Sequence, residues 1–249
     1  MNLIDRWKIL WGVGLIFLSF FFYVIHYLIF RDLHHIMIYF VGDIAFVFIQ
    51  VLLVTMIIHE LLNYRDKKTT LFKLNMLIGA FFSEVGTRLL RTFAGFDKNP
   101  ERIRNDLISC AGWPLTRFAR AGKDCKQYDY EIDPLKGDMQ ALRDFLASKR
   151  QFLINMLQNP ALMEHDTFTD LLWAVFHLDE ELENRTDIGA LPKADLAHIA
   201  NDIKRSYSLL TAEWLNYMVH LKEYYPHLFS LAARTNPFDP KASAEITSG

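Results

Sequence analysis

Two long stretches near the N-terminus are almost entirely apolar and lack the polar face of an amphipathic helix. Residues 9–30 hold 18 apolar residues in 22 and no charge, and residues 36–58 hold 19 in 23 with one charge, Asp43. A helix needs about 20 apolar residues to cross the hydrocarbon core of a bilayer, and a soluble core helix of that length keeps a polar face. The pattern predicts two transmembrane helices joined at residues 31–35.

Apolar positions in the rest of the chain recur at helical spacing, with Gly and Pro between the segments. We expect regular helices at about residues 138–158, 166–184 and 193–224, with N-caps at Asp138 and at Asp166 or Thr167. Residues 111–134 are predicted to be the least regular region, because Gly and Pro punctuate them.

These elements predict an all-α chain. We expect a two-helix transmembrane hairpin at residues 1–68, a cytosolic α-helical bundle at residues 69–234 and a disordered tail at residues 235–249. The tripeptide at residues 236–238, Asn-Pro-Phe, is expected to form a turn rather than a recruitment motif. The apolar run at residues 74–82 has more surface than one bundle face is expected to hide, which predicts a homo-oligomer.

Basic residues flank the two spans on the same side of the expected membrane. They are Arg6 and Lys8 before the first span, and Arg65, Lys67, Lys68 and Lys73 after the second. The connection between the spans has one basic residue, Arg31. Because cytoplasmic loops carry an excess of Lys and Arg, we expect a multi-pass protein of the inner (cytoplasmic) membrane with both termini in the cytoplasm.

Four polar side chains interrupt the spans, and polar groups in hydrocarbon are costly. Ser19 and His26 are seven residues apart in the first span, as are Asp43 and Gln50 in the second. In an antiparallel hairpin, facing residues have numbers with a constant sum, so we expect His26 to meet Asp43 and Ser19 to meet Gln50. In one interpretation, these intramembrane pairs stabilise the hairpin or an oligomer interface. In the other, Asp43 lines an ion pathway between subunits.

Polar residues also lie beside the apolar faces of two predicted bundle helices. Asp170, His177 and Glu181 share one stripe, and Glu213 and His220 share another. Metal sites in helical bundles use ligands about one turn apart. The seven-residue spacings of Asp170 to His177 and of Glu213 to His220 separate the members of each pair by about 10 Å. We therefore expect neither a metal nor a cofactor. A membrane-tethered metalloenzyme is a further alternative, and it would require Asp170, His177, Glu213 and His220 to converge on one site.

The composition narrows the remaining functional classes. A net charge of −2 gives no indication of nucleic-acid binding. The sequence has no phosphate-binding glycine loop, nucleophile elbow or zinc motif, so no catalytic residue is assigned. Cys110 and Cys125 are expected to be free thiols. The favoured function is a non-enzymatic sensing or interaction module in the lipid bilayer, with a protein partner or small ligand for its cytosolic domain. An oligomeric ion channel lined by the second span is the alternative.

The distribution of basic residues makes a testable prediction about topology. A reporter fused after Gly249 should be active in the cytoplasm and inactive outside the membrane, because the basic flanks resist translocation. The same reporter placed in the connection at residues 31–35 should show the reverse pattern. A fusion at Gly249 that is active only on the outside would contradict this orientation.

Overall fold

The computed structural model describes residues 3–163 and 165–245, and within these ranges it contains helices and no β-strand. The all-α prediction is confirmed. The helices are α1 (Leu3–Phe30), α2 (Leu33–Phe81), α3 (Thr87–Phe96), α4 (Glu101–Leu107), α5 (Leu115–Gln127), α6 (Met139–Leu157), α7 (Pro160–Met163), α8 (Asp166–Glu183), α9 (Lys193–Tyr224) and α10 (Pro226–Arg234). A π-helical turn at Phe82–Gly86 lies between α2 and α3. By packing, the chain divides into two units, Met1–Lys67 and Lys68–Gly249.

The first unit holds two helices that are long and apolar enough to cross a membrane, over Trp7–Phe30 and Leu33–Arg65. Between them, Arg31 adopts a left-handed conformation with φ 49°, which ends α1. The Asp32 carboxylate then accepts hydrogen bonds from the backbone N–H groups of His34 (2.9 Å) and His35 (3.2 Å). This side chain satisfies the first free donors of α2 and so fixes where the second helix begins.

The second unit, which we call the helical domain, packs around α9. Helices α5, α8 and α10 all contact α9. The finding corrects the expected irregular region, because α5 is a regular helix of 13 residues that contains Gly122. A methyl group at Gly122 would touch the carbonyl oxygen of Ala212 in α9 at 3.9 Å. Close packing on α9 therefore outweighs the low helix propensity of glycine at this position.

The apolar run at residues 74–82 is mostly covered by the same chain. Leu74, Ile78, Phe81 and Phe82 are buried, and the Phe81 ring meets that of Phe168 in α8 with centroids 5.2 Å apart. The prediction that one bundle cannot hide this run is therefore wrong. Aromatic side chains of the bundle helices cover it, so the run does not supply the surface on which oligomerisation was predicted.

Two helix starts test the expected caps. Asp138 caps α6 as predicted, and its carboxylate accepts from the N–H of Ala141 at 2.8 Å. At α8 the prediction is wrong, since the cap is His165, whose Nδ1 accepts from the N–H of Phe168 at 3.3 Å. Asp166 already has helical geometry in α8. His165, the non-helical residue before it, is therefore the one whose side chain can reach the free N–H groups of the first turn.

The segment after α10 is docked on the domain, which corrects the expected disordered tail for residues 236–238. The Asn236 amide donates to the carbonyl oxygen of Leu107 at 2.9 Å, and the Phe238 ring packs against Trp214 with centroids 5.3 Å apart. Asn236 also accepts from the N–H of Phe238 at 3.0 Å, as the turn prediction requires. Residues 246–249 of the predicted tail lie outside the described residues.

One buried ion pair joins α6 to α8. The Asp179 side chain is only 2% exposed, and the Arg150 Nη1 donates to it at 2.5 Å. The same guanidinium reaches the carboxylate of Glu183 at 2.7 Å. Burial raises the pKa of Asp179, and the bond to Arg150 opposes that shift. Arg150 is therefore the group that makes an ionised Asp179 tolerable in this interior.

We expect Arg150→Ala to lower the free energy of unfolding by about 1–3 kcal/mol, because it leaves a buried carboxylate without its donor. The measurement is chemical unfolding of the full chain in mild detergent. The loss should shrink at mildly acidic pH. A carboxyl whose folded-state pKa is raised destabilises the fold above that pKa, and this cost disappears as the group is protonated.

Among the described residues, Arg143 donates to the exposed backbone carbonyl of Glu183 rather than to a buried carboxylate, so Arg143→Ala is the control for Arg150→Ala. Adding Asp179→Asn to Arg150→Ala should recover part of the stability, since an amide is less costly to bury than a carboxylate. Equal losses in the two arginine variants would contradict the assigned role of Arg150.

Candidate functional site

Three of the four polar residues predicted to lie within the membrane border one cleft in the first unit. Ser19, His26 and Asp43 line it, and the His26 ring stacks on His35 with centroids 6.0 Å apart. Within the described residues, no hydrogen bond or ion pair joins His26 to Asp43, and Gln50 is not among the residues that line the cleft. The two pairings thus remain predictions.

Asp170 and Glu213, two of the candidates in the helical domain, have basic neighbours. Asp170 lines a shallow surface hollow with Lys126 and Arg205. The Glu213 side chain is 1% exposed and lies 4.0 Å from the Lys126 ammonium. Its Oε1 accepts from the Asn216 amide at 3.3 Å. The partners of the buried Glu213 carboxylate are thus a lysine and an amide. The positive charge of the lysine balances the negative charge of the carboxylate in the interior.

His220 lies far from the histidine on α8. Its ring packs against Tyr224 and Tyr225, with centroids 5.0 and 5.6 Å away, and burial lowers its pKa. Asp202, which faces His177, is 18 positions earlier on α9, or about 27 Å along the helix axis. Asp170, His177, Glu213 and His220 therefore do not converge on one site.

The structure instead places four side chains together where α8 faces the first half of α9. They are His177 and Glu181 on α8 and His198 and Asp202 on α9, which we call the histidine–carboxylate quartet. The His177 Nε2 lies 3.6 Å from Glu181 Oε1 and 3.9 Å from Asp202 Oδ1. The His198 Nε2 lies 3.5 Å from Glu181 Oε2 and 3.4 Å from Asp202 Oδ2. Each imidazole thus faces both carboxylates.

Arg185 holds one side of the quartet in place. Its Nη1 donates to Glu181 Oε2 at 2.6 Å, and its Nε and Nη2 donate to the Asp195 carboxylate at 2.8 and 2.5 Å. These bonds lower the pKa of Glu181 and the pKa of Asp195. Both carboxylates are therefore ionised near neutral pH, and the guanidinium fixes the orientation of Glu181.

A second candidate site is a cavity of about 340 Å³ between α4 and α5. Three arginines border it, and two of them lie over aromatic rings: Arg117 is 4.3 Å from the Trp113 centroid and Arg102 is 5.5 Å from that of Tyr128. Within the described residues, the buried indole Nε1 of Trp113 has no hydrogen-bond partner. The lining residues are Arg102, Ile103, Asp106, Leu107, Trp113, Arg117, Arg120, Ala121, Asp124, Cys125 and Tyr128.

Comparison with known proteins assigns both units to one family. The family described as "MJ1433, N-terminal helical domain" matches residues 2–62, and "Uncharacterized protein MJ1433, C-terminal helical domain" matches residues 70–234. The chain belongs to the MJ1433 family. The MJ1433 protein of Methanocaldococcus jannaschii, itself described as uncharacterized, is 45% identical over 237 residues, which cover 95% of each chain. No solved structure matches this member of the MJ1433 family.

The two cysteines of this MJ1433 family member are free and buried. Burial raises the pKa of Cys110 and the pKa of Cys125 to about 11. Since the thiolate is the reactive form of cysteine, neither residue is a nucleophile near neutral pH. Cys125 contributes to the cavity wall as a small apolar group.

Sequence analysis of this MJ1433 family member missed His198 and Asp202. Their signal was the spacing of four residues on α9, which matches the spacing of His177 and Glu181 on α8. Residues four apart lie on one helix face, so each helix offers one imidazole and one carboxylate together. The stripe predicted on α8 includes His177 and Glu181, whereas the stripe predicted on α9 consists of Glu213 and His220 and does not include this pair. Only the packing of α8 on α9 brings them into one cluster.

Proposed function

We propose that this member of the MJ1433 family is an integral membrane protein whose helical domain is a non-enzymatic sensing or interaction module for a small anionic ligand. The observation that carries the proposal is the contrast between the two units. The apolar stretches Trp7–Phe30 and Leu33–Arg65 contain no buried side chain, whereas the helical domain has its own apolar core. Exposed apolar surface costs about 25 cal/mol per Å² in water, and a bilayer removes that cost.

The basic flanks support a cytoplasmic position for both termini and for the helical domain. Lys8 lies at the start of the first apolar stretch, and Arg65 and Lys73 lie at and beyond the end of the second. Arg31 is the single basic residue of the connection between them. By the positive-inside rule, this asymmetry favours a short outer connection and a cytoplasmic domain in a multi-pass protein.

Membrane integration is tested by extraction. The chain should stay in the membrane fraction after washing with alkaline carbonate and should be released by detergent, because its apolar helices lie in hydrocarbon. Phe17→Arg should reduce the integrated fraction, since a charge near the middle of a span costs about 2.5–3.5 kcal/mol on insertion scales. Asn63→Arg, at the end of the second stretch, is the matched control. Release of the wild-type chain by carbonate alone would contradict the proposal.

The cavity between α4 and α5 supports the ligand class. Its volume of about 340 Å³ falls within the range of sites for small organic molecules. Arg102, Arg117 and Arg120 offer planar guanidinium groups, which bind carboxylates and phosphates through paired hydrogen bonds. Trp113 and Tyr128 add aromatic surface. An anionic group attached to an aromatic or apolar body fits this combination.

Phenyl phosphate is a suitable probe of the cavity, and binding is measured by calorimetry with the full chain in nanodiscs. Arg117→Gln should weaken binding about tenfold, which corresponds to about 1.4 kcal/mol, because it removes one charged donor. Arg143→Gln, outside the cavity, should leave the affinity unchanged, and benzyl alcohol should bind far more weakly than phenyl phosphate. Equal binding of both probes, or no effect of Arg117→Gln, would contradict the assigned ligand class.

An ion-conducting oligomer lined by the second span is the second candidate function. Among the described residues, the carboxylate of Asp43 has no ion-pair partner, and such a group within a span is stable only if it is wet or paired. A single hairpin cannot enclose a pore, so this function requires several copies of the chain. The shared position of Asp43, His26 and Ser19 in one cleft favours a packed hairpin, so we rank conduction second.

A further inference from the structure

We propose that the histidine–carboxylate quartet binds one divalent transition-metal ion of the zinc type. The ligands are the Nε2 atoms of His177 and His198 and a carboxylate oxygen of Asp202, and Glu181 supplies the fourth contact. The proposal concerns the helical domain alone. It depends neither on membrane insertion nor on the arginine-lined cavity.

The distances within the quartet match the geometry of such an ion. Bond lengths of 2.0–2.2 Å in a tetrahedral zinc site place neighbouring ligand atoms about 3.3 Å apart. The four nitrogen–oxygen distances across the quartet are 3.4, 3.5, 3.6 and 3.9 Å. Ligand atoms of His177, His198 and Asp202 all lie within 4.8 Å of one another. Small side-chain adjustments therefore suffice to close the site around an ion.

The types of donor select the class of metal. Two imidazoles with one or two carboxylates are the ligands of zinc and of neighbouring first-row metals. Calcium and magnesium prefer all-oxygen sites. His177, His198 and Asp202 supply three ligands, and Glu181 takes the remaining position. The quartet therefore points to a zinc-type ion rather than to an alkaline-earth ion.

The charge around the quartet favours a cation. Glu181, Asp195 and Asp202 contribute three carboxylates, and Arg185 contributes one guanidinium. These three carboxylates and one guanidinium sum to a charge of −2, which one divalent ion balances. Within the described residues, Asp202 Oδ2 is inaccessible to water and has no hydrogen-bond partner. A bound metal would satisfy this atom.

The surroundings hold the four side chains in place. On α8, Leu178 and Leu182 are fully buried beside His177 and Glu181, and on α9 Ile199 and Ile203 are fully buried beside His198 and Asp202. The two ligand-bearing faces thus belong to helices whose adjacent residues are in the core. Arg185 donates a hydrogen bond to Glu181 and so orients its carboxylate, as groups that bond to a metal ligand commonly do. Sites built on packed helices in this way hold their geometry better than sites on loops.

Calorimetry with Zn²⁺ and the metal-stripped full chain in mild detergent tests the proposal. We expect one ion per chain. His177→Ala and His198→Ala should each lower the affinity more than about tenfold, because loss of a metal ligand costs more than loss of a residue that only bonds to a ligand. His227→Ala is the matched control, because His227 is exposed on α10 and outside the quartet. Circular dichroism of each variant checks that the fold is retained.

Two further measurements distinguish a metal-binding site from simple ion pairs between the histidines and the carboxylates. Co²⁺ should give the visible absorption of a low-coordinate nitrogen–oxygen site in the wild type and in His227→Ala, but not in His198→Ala. Zn²⁺ should raise the unfolding temperature of the wild type and leave that of His198→Ala unchanged, because only a ligand that binds the folded state stabilises it. No stoichiometric binding, or binding that persists in both quartet histidine variants, would overturn the proposal.

Discussion

Burial of the middle of α9 is the constraint on which the helical domain depends. Five consecutive residues, from Thr211 to Leu215, are buried, and consecutive helical residues point in all directions around the axis. Neighbouring helices must therefore surround α9 at this level. The polar members of the run are satisfied within that packing: the Thr211 hydroxyl donates to the carbonyl of Tyr207 at 2.8 Å, and Glu213 lies near Lys126.

The position of each candidate site follows from its place along this central helix. The histidine–carboxylate quartet uses the first half of α9 where that helix faces α8, and His198 is exposed there. His220, near the other end, packs among tyrosines. The cavity between α4 and α5 is lined in part by α5, the helix that contacts α9 through Gly122. Chemically useful side chains thus gather at the margins of the core, where burial is partial and a ligand can enter.

The two units solve the problem of apolar surface in opposite ways. In the helical domain, aromatic and aliphatic side chains cover one another, and the buried carboxylates of Asp179 and Glu213 lie beside Arg150 and Lys126. In the first unit, most of the apolar side chains that the structure describes in α1 and in the first part of α2 remain exposed. Both helices satisfy their backbone groups internally, which is the requirement for a segment in hydrocarbon. One rule, that apolar surface leaves water, therefore gives two different structures within one chain.

Sequence alone determined the features that rest on local spacing. The apolar runs, the Asp138 cap and the boundaries of α9 each involve residues close together in the chain, and all were predicted. The tertiary structure decided the features that depend on which helices meet and at what rotation. These are the regular helix α5, the docking of Asn236 and Phe238, and the covered run at residues 74–82. The quartet belongs to this second group, because two pairs of residues on separate helices form a site only when packing turns their faces toward each other.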